Sequence, residues 1–163
     1  LETNYFKSID LYGDELYGNL KNFIPLYRKA KNMGMVLTAH AGEYGSAESV
    51  RTAVEMLELN QVQHGINSSQ SEEVMKWLAE NKMILNVCPT SNVVLGRAES
   101  IKKHPIRTLY DHGIIVTINT DDLMLFNQSV SEECMNMYRE GLFGGEALNK
   151  IRLNGLNAFK IAN

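Results

Sequence analysis

The sequence has only two cysteines, Cys88 and Cys134, which stand far apart and form no Cys-x-x-Cys pair. A disulfide framework and a cysteine-rich metal site are therefore excluded as features that organise the fold. Basic residues are not in excess either, because 16 lysines and arginines stand against 19 aspartates and glutamates, for a formal charge of −3. This charge balance does not provide the excess of basic residues that binding to nucleic acid or to an anionic membrane surface requires.

Long apolar runs are missing as well. The longest, such as Met33–Ala39 and Ile114–Ile118, fall far short of the roughly 20 residues that span a bilayer. No basic segment followed by an apolar run opens the sequence. With 163 residues, 44% hydrophobic and 21% charged, the composition is that of a globular domain. We therefore expect one soluble, cytoplasmic domain that binds neither nucleic acid nor membrane.

Short apolar runs alternate with amphipathic stretches along the chain. The runs that predict strands are Tyr5–Leu11, Met35–Ala39, Gln61–Gln63, Met83–Val87 and Ile114–Asn119. The stretches with helical spacing are Tyr17–Asn32, Ala47–Leu59, Ser71–Asn81, Pro105–His112, Ser131–Gly141 and Glu146–Lys160. Strands that alternate with helices, and that are apolar along their length, are typical of a parallel sheet buried on both faces. The predicted class is α/β.

Polar residues stand at the carboxyl ends of successive strand runs. They are Asp10, His40, His64, Cys88 with its neighbour Asn86, and the pair Asp121 and Asp122. A (β/α)8 barrel delivers its chemistry from such strand ends, whereas a doubly wound sheet uses one switch point and a glycine-rich phosphate turn. Neither glycine-rich phosphate motif, GxGxxG or GxxxxGK[ST], occurs in this sequence. The pattern therefore predicts a barrel, and because a barrel takes about 250 residues, we expect five of its eight strands here.

The segment from His40 to Glu43 places an imidazole at a strand end and a carboxylate three residues later, with Gly42 in the turn between them. This pair suits a metal-bound histidine beside an acid that transfers protons. The alternative is a turn in which His40 is an ordinary hydrogen-bonded residue and Glu43 begins the next helix. The residues alone leave both interpretations open.

Asp121 and Asp122 directly follow an apolar strand run. Adjacent residues in extended backbone point to opposite sides, so one carboxylate can bind a metal while the other faces a substrate. Paired aspartates are also common where a helix begins, and a lone His64 is more often structural than catalytic. The occurrence of all these groups at the ends of successive strands favours a functional site.

Three other candidates have simpler interpretations. The segment Cys88–Asn92 is expected to be an ordinary turn that lines the site, because no base or positive charge near Cys88 is evident. His104 stands at a predicted helix start and His112 at a helix end, where capping accounts for them.

Five motifs point to a known family. They are IDLYGDE (9–15), LTAHAGE (37–43), QHGI (63–66), CPTSN (88–92) and TINTDD (117–122). In order and spacing they resemble the motifs of the adenosine deaminase family. The resemblance covers nearly the whole chain and implies a zinc-dependent (β/α)8 hydrolase that converts adenosine to inosine and ammonia.

The resemblance also implies which part of the barrel is present. Residues 1–163 are expected to be the C-terminal portion of a single barrel domain, containing strands four to eight with their helices. By the same resemblance, we expect the three N-terminal strands of the barrel to lie outside this sequence. Such a piece has open sheet edges, through which copies of the chain are expected to associate.

Site residues follow from the same resemblance. His40 and Asp121 correspond to two zinc ligands, Glu43 to the acid that protonates purine N1, and His64 to the histidine that orients and deprotonates the attacking water.

The resemblance assigns substrate contacts as well. Asp122 corresponds to the partner of the attacking oxygen and of purine N7. Gly13 corresponds to the glycine whose backbone meets purine N3, with Asp10 as a supporting residue. Glu43, Asp122 and Gly13 are therefore the expected substrate-binding residues.

Two departures from the family pattern bear on function. The family's first strand carries a His-x-His pair of zinc ligands, and this sequence has none, its histidines being His40, His64, His104 and His112. Leu123 also replaces the family's usual proline after the paired aspartates. Because a catalytic zinc has about three protein ligands, a non-catalytic barrel module is an alternative function. Adenine or a modified 6-aminopurine is an alternative substrate.

Overall fold

The computed structural model describes residues 5–161. The strands are β1 (Ser8–Leu11), β2 (Val36–Ala41), β3 (Gln61–His64), β4 (Ile84–Val87) and β5 (Ile115–Ile118). The helices are α1 (Ile24–Asn32), α2 (Ala47–Leu57), α3 (Glu72–Glu80), α4 (Pro89–Val94), α5 (Ile106–Asp111), α6 (Leu123–Phe126), α7 (Val130–Arg139) and α8 (Gly145–Ile161). Two 3₁₀ helices, Leu20–Phe23 and Ile66–Gln70, lie between them.

The five strands form one sheet in the order β1-β2-β3-β4-β5, and every neighbouring pair is parallel. Each strand therefore pairs with the next one along the chain. This sequential order is that of a barrel, whereas a doubly wound sheet reverses its order at a switch point. The predicted α/β class and parallel sheet are confirmed.

One face of the sheet carries the hydrophobic core. Its strand residues are Leu37, Ala39, Val62, Leu85 and Val116, and all are buried. They belong to the same apolar cluster as buried residues of the helices, which include Val50, Leu57, Leu78 and Leu109. Because side chains alternate along a strand, the residues between these positions point to the opposite face.

That opposite face is polar over much of its area, which corrects the expectation that the strands are apolar along their length. Asn86 Nδ2 donates to Gln61 Oε1 at 2.9 Å, and Asn86 Oδ1 accepts from Thr117 Oγ1 at 2.8 Å. Thr117 Oγ1 accepts in turn from Asn119 Nδ2 at 2.7 Å. This row of hydrogen bonds crosses three strands and satisfies polar groups that would otherwise be costly to bury.

Helix α3 begins at the capping residue that the sequence provides for it. Ser71 accepts from Val74 N and caps α3, whose first turn contains Glu72 and Glu73. Carboxylates in a first turn favour the helix because its N-terminus carries partial positive charge. The helix predicted from Tyr17 begins later, at Ile24, after the first 3₁₀ helix.

Two short helices follow strand ends where the sequence predicts none. Helix α4 begins at Pro89 and corrects the expectation of an ordinary turn at Cys88–Asn92. Proline is compatible with a first helical position because it needs no N–H partner there. Helix α6 begins after Asp122, whose side chain accepts from the N–H groups of Met124 and Leu125.

Exposed apolar side chains lie beside both outer strands. Near β1 they include Tyr5, Tyr12 and Tyr17, and after β5 they are Leu123, Met124 and Leu125. Among the described strands, β1 and β5 each pair on one side only. Association of copies through these edges stays a prediction. Within residues 5–161, no helix is both long enough and apolar enough to cross a membrane.

Candidate active site

Two of the expected site residues have unusual backbone conformations at strand ends. His64 and Asp121 both have φ of 61°, in the left-handed region. This conformation costs a non-glycine residue on the order of 1–3 kcal/mol, and it clusters at functional sites. The two strained residues therefore indicate a candidate functional site at the ends of β3 and β5.

Glu43, His64 and Asn92 form a buried polar cluster, with exposed fractions of 7%, 2% and 0%. His64 Nε2 lies 3.7 Å from Glu43 Oε2. Asn92 Nδ2 lies 3.1 Å from Glu43 Oε1 and 3.2 Å from His64 Nδ1. The fold therefore brings together residues from the β2–α2 turn, the end of β3 and helix α4.

Burial changes the proton affinity of both titratable groups in the cluster. Desolvation raises the pKa of the Glu43 carboxyl, and the negative charge of Asp121 raises it further, against the opposing hydrogen bond from Asn92. Desolvation also lowers the pKa of His64 to about 4, with a contribution from His40. A buried carboxyl with a raised pKa, beside an imidazole with a lowered pKa, is suited to act as an acid.

His40 is oriented by Asp10 from the neighbouring strand. His40 Nδ1 lies 2.9 Å from Asp10 Oδ2, and its ring centroid is 5.2 Å from that of His64. Burial by itself lowers the pKa of His40, but the contact with Asp10 and the charges of Asp10, Asp121 and Glu43 outweigh it and raise the pKa. A ring nitrogen that faces a carboxylate is typical of metal-binding histidines, whose other nitrogen ligates the metal.

The turn that carries Glu43 is built around one carboxylate. Glu15 Oε2 accepts from the N–H groups of Gly42 at 2.6 Å and Gly45 at 3.0 Å. Glu15 Oε1 accepts from the N–H groups of Glu43 at 3.0 Å and Tyr44 at 3.2 Å. Four successive N–H groups are thereby satisfied by a residue that follows β1.

A cavity of about 330 Å³ opens at the ends of β1 and β2. Its lining includes Tyr12, Gly13, Glu15, Tyr17 and His40. The expected substrate-binding Gly13 and the expected metal ligand His40 therefore face the same space. The volume is at the lower end of the range for small-molecule sites.

Donor atoms for a metal lie next to the buried cluster. His64, Cys88 and Asp121 each offer one ligand atom, and these atoms lie within 4.8 Å of one another. Ser91 Oγ donates to Asp121 Oδ2 at 2.6 Å and holds that carboxylate. Nitrogen, sulfur and oxygen are the donors that zinc takes in proteins, so the chemistry of these three residues fits a zinc ion. The predicted ligand His40 lies outside this group.

The thiol of Cys88 is not activated. Desolvation raises its pKa, and the charge of Asp121 adds to that effect. A nucleophilic cysteine needs the opposite environment. This agrees with the expectation that Cys88 lines the site rather than attacking a substrate.

Asp122 stands apart from the cluster. It is exposed, and its Oδ1 accepts from Met124 N at 2.9 Å and Leu125 N at 3.0 Å. Asp122 therefore caps the N-terminus of α6, which is the alternative role that the sequence suggests for it. Its expected contact with the substrate stays a prediction.

Sequence reasoning missed the contributions of Asn92, Glu15 and Ser91. All three lie within motifs that the sequence singles out, and that membership is the only indication available for them. The two remaining histidines are structural, as expected. His104 Nδ1 accepts from Ile106 N at 3.1 Å, and His112 contacts Thr108 O and Glu72.

Comparison with known proteins gives a consistent result. A family model described as adenosine deaminase matches residues 4–162. A Treponema pallidum protein with an adenosine/adenine deaminase name is 41% identical over 155 residues, covering 93% of this chain and 52% of its own length. An adenosine deaminase of Clostridium acetobutylicum is 34% identical, with 88% and 45% covered. An adenine deaminase of Vibrio parahaemolyticus is 36% identical, with 86% and 42% covered. The chain therefore spans about half the length of these relatives.

Solved structures are similar over the same extent. An adenine deaminase from Arthrobacter aurescens superposes with a TM-score of 0.88 at 27% identity, covering 93% of this chain and 46% of that one. An amidohydrolase from Burkholderia ambifaria, solved with bound zinc, gives a TM-score of 0.82 at 30% identity, with 92% and 42% covered. The five-stranded sheet is thus part of an amidohydrolase barrel, which confirms the expected partial (β/α)8 fold.

Proposed function

Because the chain belongs to the adenosine deaminase family, we propose that this protein removes the 6-amino group of a purine by hydrolysis and releases ammonia. The observation that carries the proposal is the buried contact between Glu43 and His64, whose nearest oxygen and nitrogen are 3.7 Å apart. A hydrolytic deamination needs a group that protonates the ring and a group that orients water. These two side chains supply both.

Glu43 is the proposed acid. Its carboxyl is buried and its pKa is raised, so it keeps a proton under conditions in which an exposed glutamate has lost it. Donation of that proton to ring nitrogen N1 makes C6 more electrophilic. His64 orients the attacking water, and the exposed Asp122 is proposed to contact the same oxygen and purine N7.

His40 and Asp121 are the proposed zinc ligands, with His64 and Cys88 beside Asp121. When bound, zinc supplies Lewis-acid activation of water at neutral pH. Asp10 fixes the ring of His40, and Ser91 fixes the carboxylate of Asp121. Both ligands are therefore oriented before a metal binds, which reduces the entropy lost on binding.

The proposed substrate is adenosine, and Gly13 is the proposed contact for purine N3 at the cavity beside His40. Adenine is the second candidate, because relatives and a similar structure carry adenine deaminase names. The two differ by the ribose. Activity on each therefore distinguishes them directly.

The test is ammonia release from adenosine and from adenine by the zinc-loaded protein. Replacement of Glu43 by Gln is expected to lower the rate by about 100- to 10,000-fold, the usual contribution of a general acid. Glu48→Gln is the matched control, because Glu48 is exposed five residues further on and is expected to keep the activity. No ammonia from either substrate, in a protein that folds and binds zinc, would favour the non-catalytic module.

A further inference from the structure

Asn67 extends the pairing of β2 with β3 beyond the end of β3. Gly65 N donates to Ala41 O at 3.0 Å. Asn67 N donates to Gly42 O at 2.9 Å. The two segments also approach closely, because a Cβ built at Gly42 would lie 3.4 Å from Gly65 Cα. The turn after β2 therefore packs directly on the segment after β3.

The side chain of Asn67 continues this pairing with two more carbonyl groups. Its Nδ2 donates to Gly45 O at 2.7 Å and to Glu43 O at 3.2 Å. Its Oδ1 accepts from Gln70 Nε2 at 3.1 Å. A backbone carbonyl oxygen can only accept, so the two carbonyl partners fix which end of the amide carries the NH₂ group. The amide orientation is therefore set by its partners, and both of its polar atoms have one.

The turn of residues 42–45 is thus held on both sides. Glu15 accepts from its four N–H groups. Asn67 donates to three of its carbonyl groups, one through the backbone and two through the side chain. The Glu15 contacts fasten the turn to the segment after β1. The Asn67 contacts fasten it to the segment that carries His64, which precedes Asn67 by three residues.

We propose that Asn67 is a positioning residue that sets the spacing between Glu43 and His64. These two side chains come from different strand ends, and their nearest oxygen and nitrogen are 3.7 Å apart. Asn67 is joined to His64 by a short piece of chain and to the carbonyl of Glu43 by a hydrogen bond. The Glu15 contacts do not supply this link, because they hold the Glu43 turn to β1.

The catalytic meaning of this link rests on the proposed deaminase function. An acid and a group that orients water act together only when both are in place, and a misplacement of about 1 Å can lower a rate about 100-fold. None of the described hydrogen bonds of Asn67 reaches a proposed zinc ligand. Its effect on the reaction therefore passes through the position of Glu43 and not through the metal.

The first test is amide hydrogen exchange, compared among the parent protein, Asn67→Leu and Asn60→Leu. Asn60 is the matched control, because its Oδ1 accepts from Leu37 N at 2.8 Å and joins the same two strands at their other end. Loss of two hydrogen bonds in Asn67→Leu should accelerate exchange at residues 42–45 by at least about 10-fold. Asn60→Leu should leave these rates unchanged. Parent rates at residues 42–45 in Asn67→Leu would overturn the proposal.

The second test is ammonia release by the zinc-loaded proteins. For Asn67→Leu we expect kcat to fall about 10- to 100-fold with little change in KM, as for a displaced catalytic group. Its zinc affinity should equal that of the parent protein, which a general loosening of the site would lower. Asn60→Leu should keep the parent kcat. An unchanged kcat in Asn67→Leu, or an equal fall in Asn60→Leu, would contradict a positioning role.

Asn67→Asp tests the NH₂ donor separately from the bulk of the side chain. It keeps the shape but places an oxygen opposite the carbonyl groups of Glu43 and Gly45, so kcat should fall at least as far as in Asn67→Leu. A parent kcat in Asn67→Asp would overturn the proposal even if Asn67→Leu does not fold. A parent protein that folds, binds zinc and releases no ammonia would contradict the proposed function, while amide exchange would still decide whether Asn67 holds the turn.

Discussion

Asp10 Oδ2 lies 2.9 Å from His40 Nδ1, and Asp10 Oδ1 accepts from Thr38 Oγ1 at 2.7 Å. One carboxylate at the end of β1 is therefore held by a hydroxyl from β2 and itself holds an imidazole from β2. This contact leaves Nε2 as the nitrogen of His40 that is free to ligate a metal. The contact between Asp10 of β1 and His40 of β2 therefore sets the orientation of the His40 ring.

Removal of that carboxylate should weaken metal binding. Asp10→Ala frees the His40 ring to rotate and removes the charge that favours the Nδ1–H form. Loss of such an outer partner lowers metal affinity by about 10- to 100-fold. Competition for zinc between the protein and a chelator measures the change.

Asp111→Ala is the control for that experiment, because Asp111 is exposed and pairs only with Arg107 among its described ion pairs. Its zinc affinity should equal that of the parent protein. Equal affinities for Asp10→Ala and Asp111→Ala would show that His40 is not a ligand that depends on Asp10.

The Glu15 carboxylate should contribute measurably to stability. In Glu15→Gln an NH₂ group replaces one oxygen and faces two N–H donors, either those of Gly42 and Gly45 or those of Glu43 and Tyr44. We expect the free energy of unfolding to fall by about 2 kcal/mol, the scale for hydrogen bonds to a charged group. Urea unfolding measures it, and amide exchange at residues 42–45 should accelerate. Exchange rates equal to those of the parent would contradict this role.

Gly42 should tolerate no side chain. Its φ is +71°, and a Cβ built there would overlap Cγ2 of Val50. Gly34 has nearly the same φ, +72°, but a Cβ there would meet nothing within 4 Å. Both Ala variants therefore carry the same backbone strain, and only Gly42→Ala adds overpacking, which costs about 1–3 kcal/mol. Equal unfolding free energies for the two variants would disprove the steric argument.

His104 should destabilise the fold in acid. It is 2% exposed, and burial lowers its pKa from 6.5 to about 4. Between these values the unfolded chain binds a proton that the folded protein does not, so stability is complete above pH 6.5 and falls as the pH falls toward 4. At about 1.4 kcal/mol per pKa unit, the loss reaches roughly 3 kcal/mol.

Urea unfolding between pH 4 and 7 measures this dependence. His104→Gln should flatten the slope by about one proton per molecule. His64, whose pKa is also lowered to about 4, keeps its contribution in both proteins, so the difference isolates His104. Parallel slopes for the parent and the variant would refute the assignment.

The strands were predictable because the information for each is local. Five apolar runs separated by helix stops mark them, and Ser71 marks the start of α3 within one residue. The short helices α4 and α6 were not predictable, since four to six residues contain too little periodicity. The polar inner face was missed because Thr38, Asn86 and Thr117 each lie singly among apolar neighbours, and only the sheet register aligns them.

The candidate site was likewise predictable in its residue types and positions but not in its long-range contacts. His40, Glu43, His64 and Asp121 stand at predicted strand ends or just after them, so their residue types and positions indicate a site. The contacts of Asn92 span 49 residues to Glu43 and 28 to His64. No spacing in the sequence encodes such contacts, because they depend on how α4 packs against two other strand ends.

The Glu15 carboxylate also constrains the order in which the chain folds. Its four N–H partners lie 27 to 30 residues further along the sequence. Closing a loop of that length costs entropy, so we expect β1 to pair with β2 before these hydrogen bonds form. In that order the turn bearing Glu43 takes its final shape only after the pairing, so the position of the proposed acid depends on the docking of the first strand.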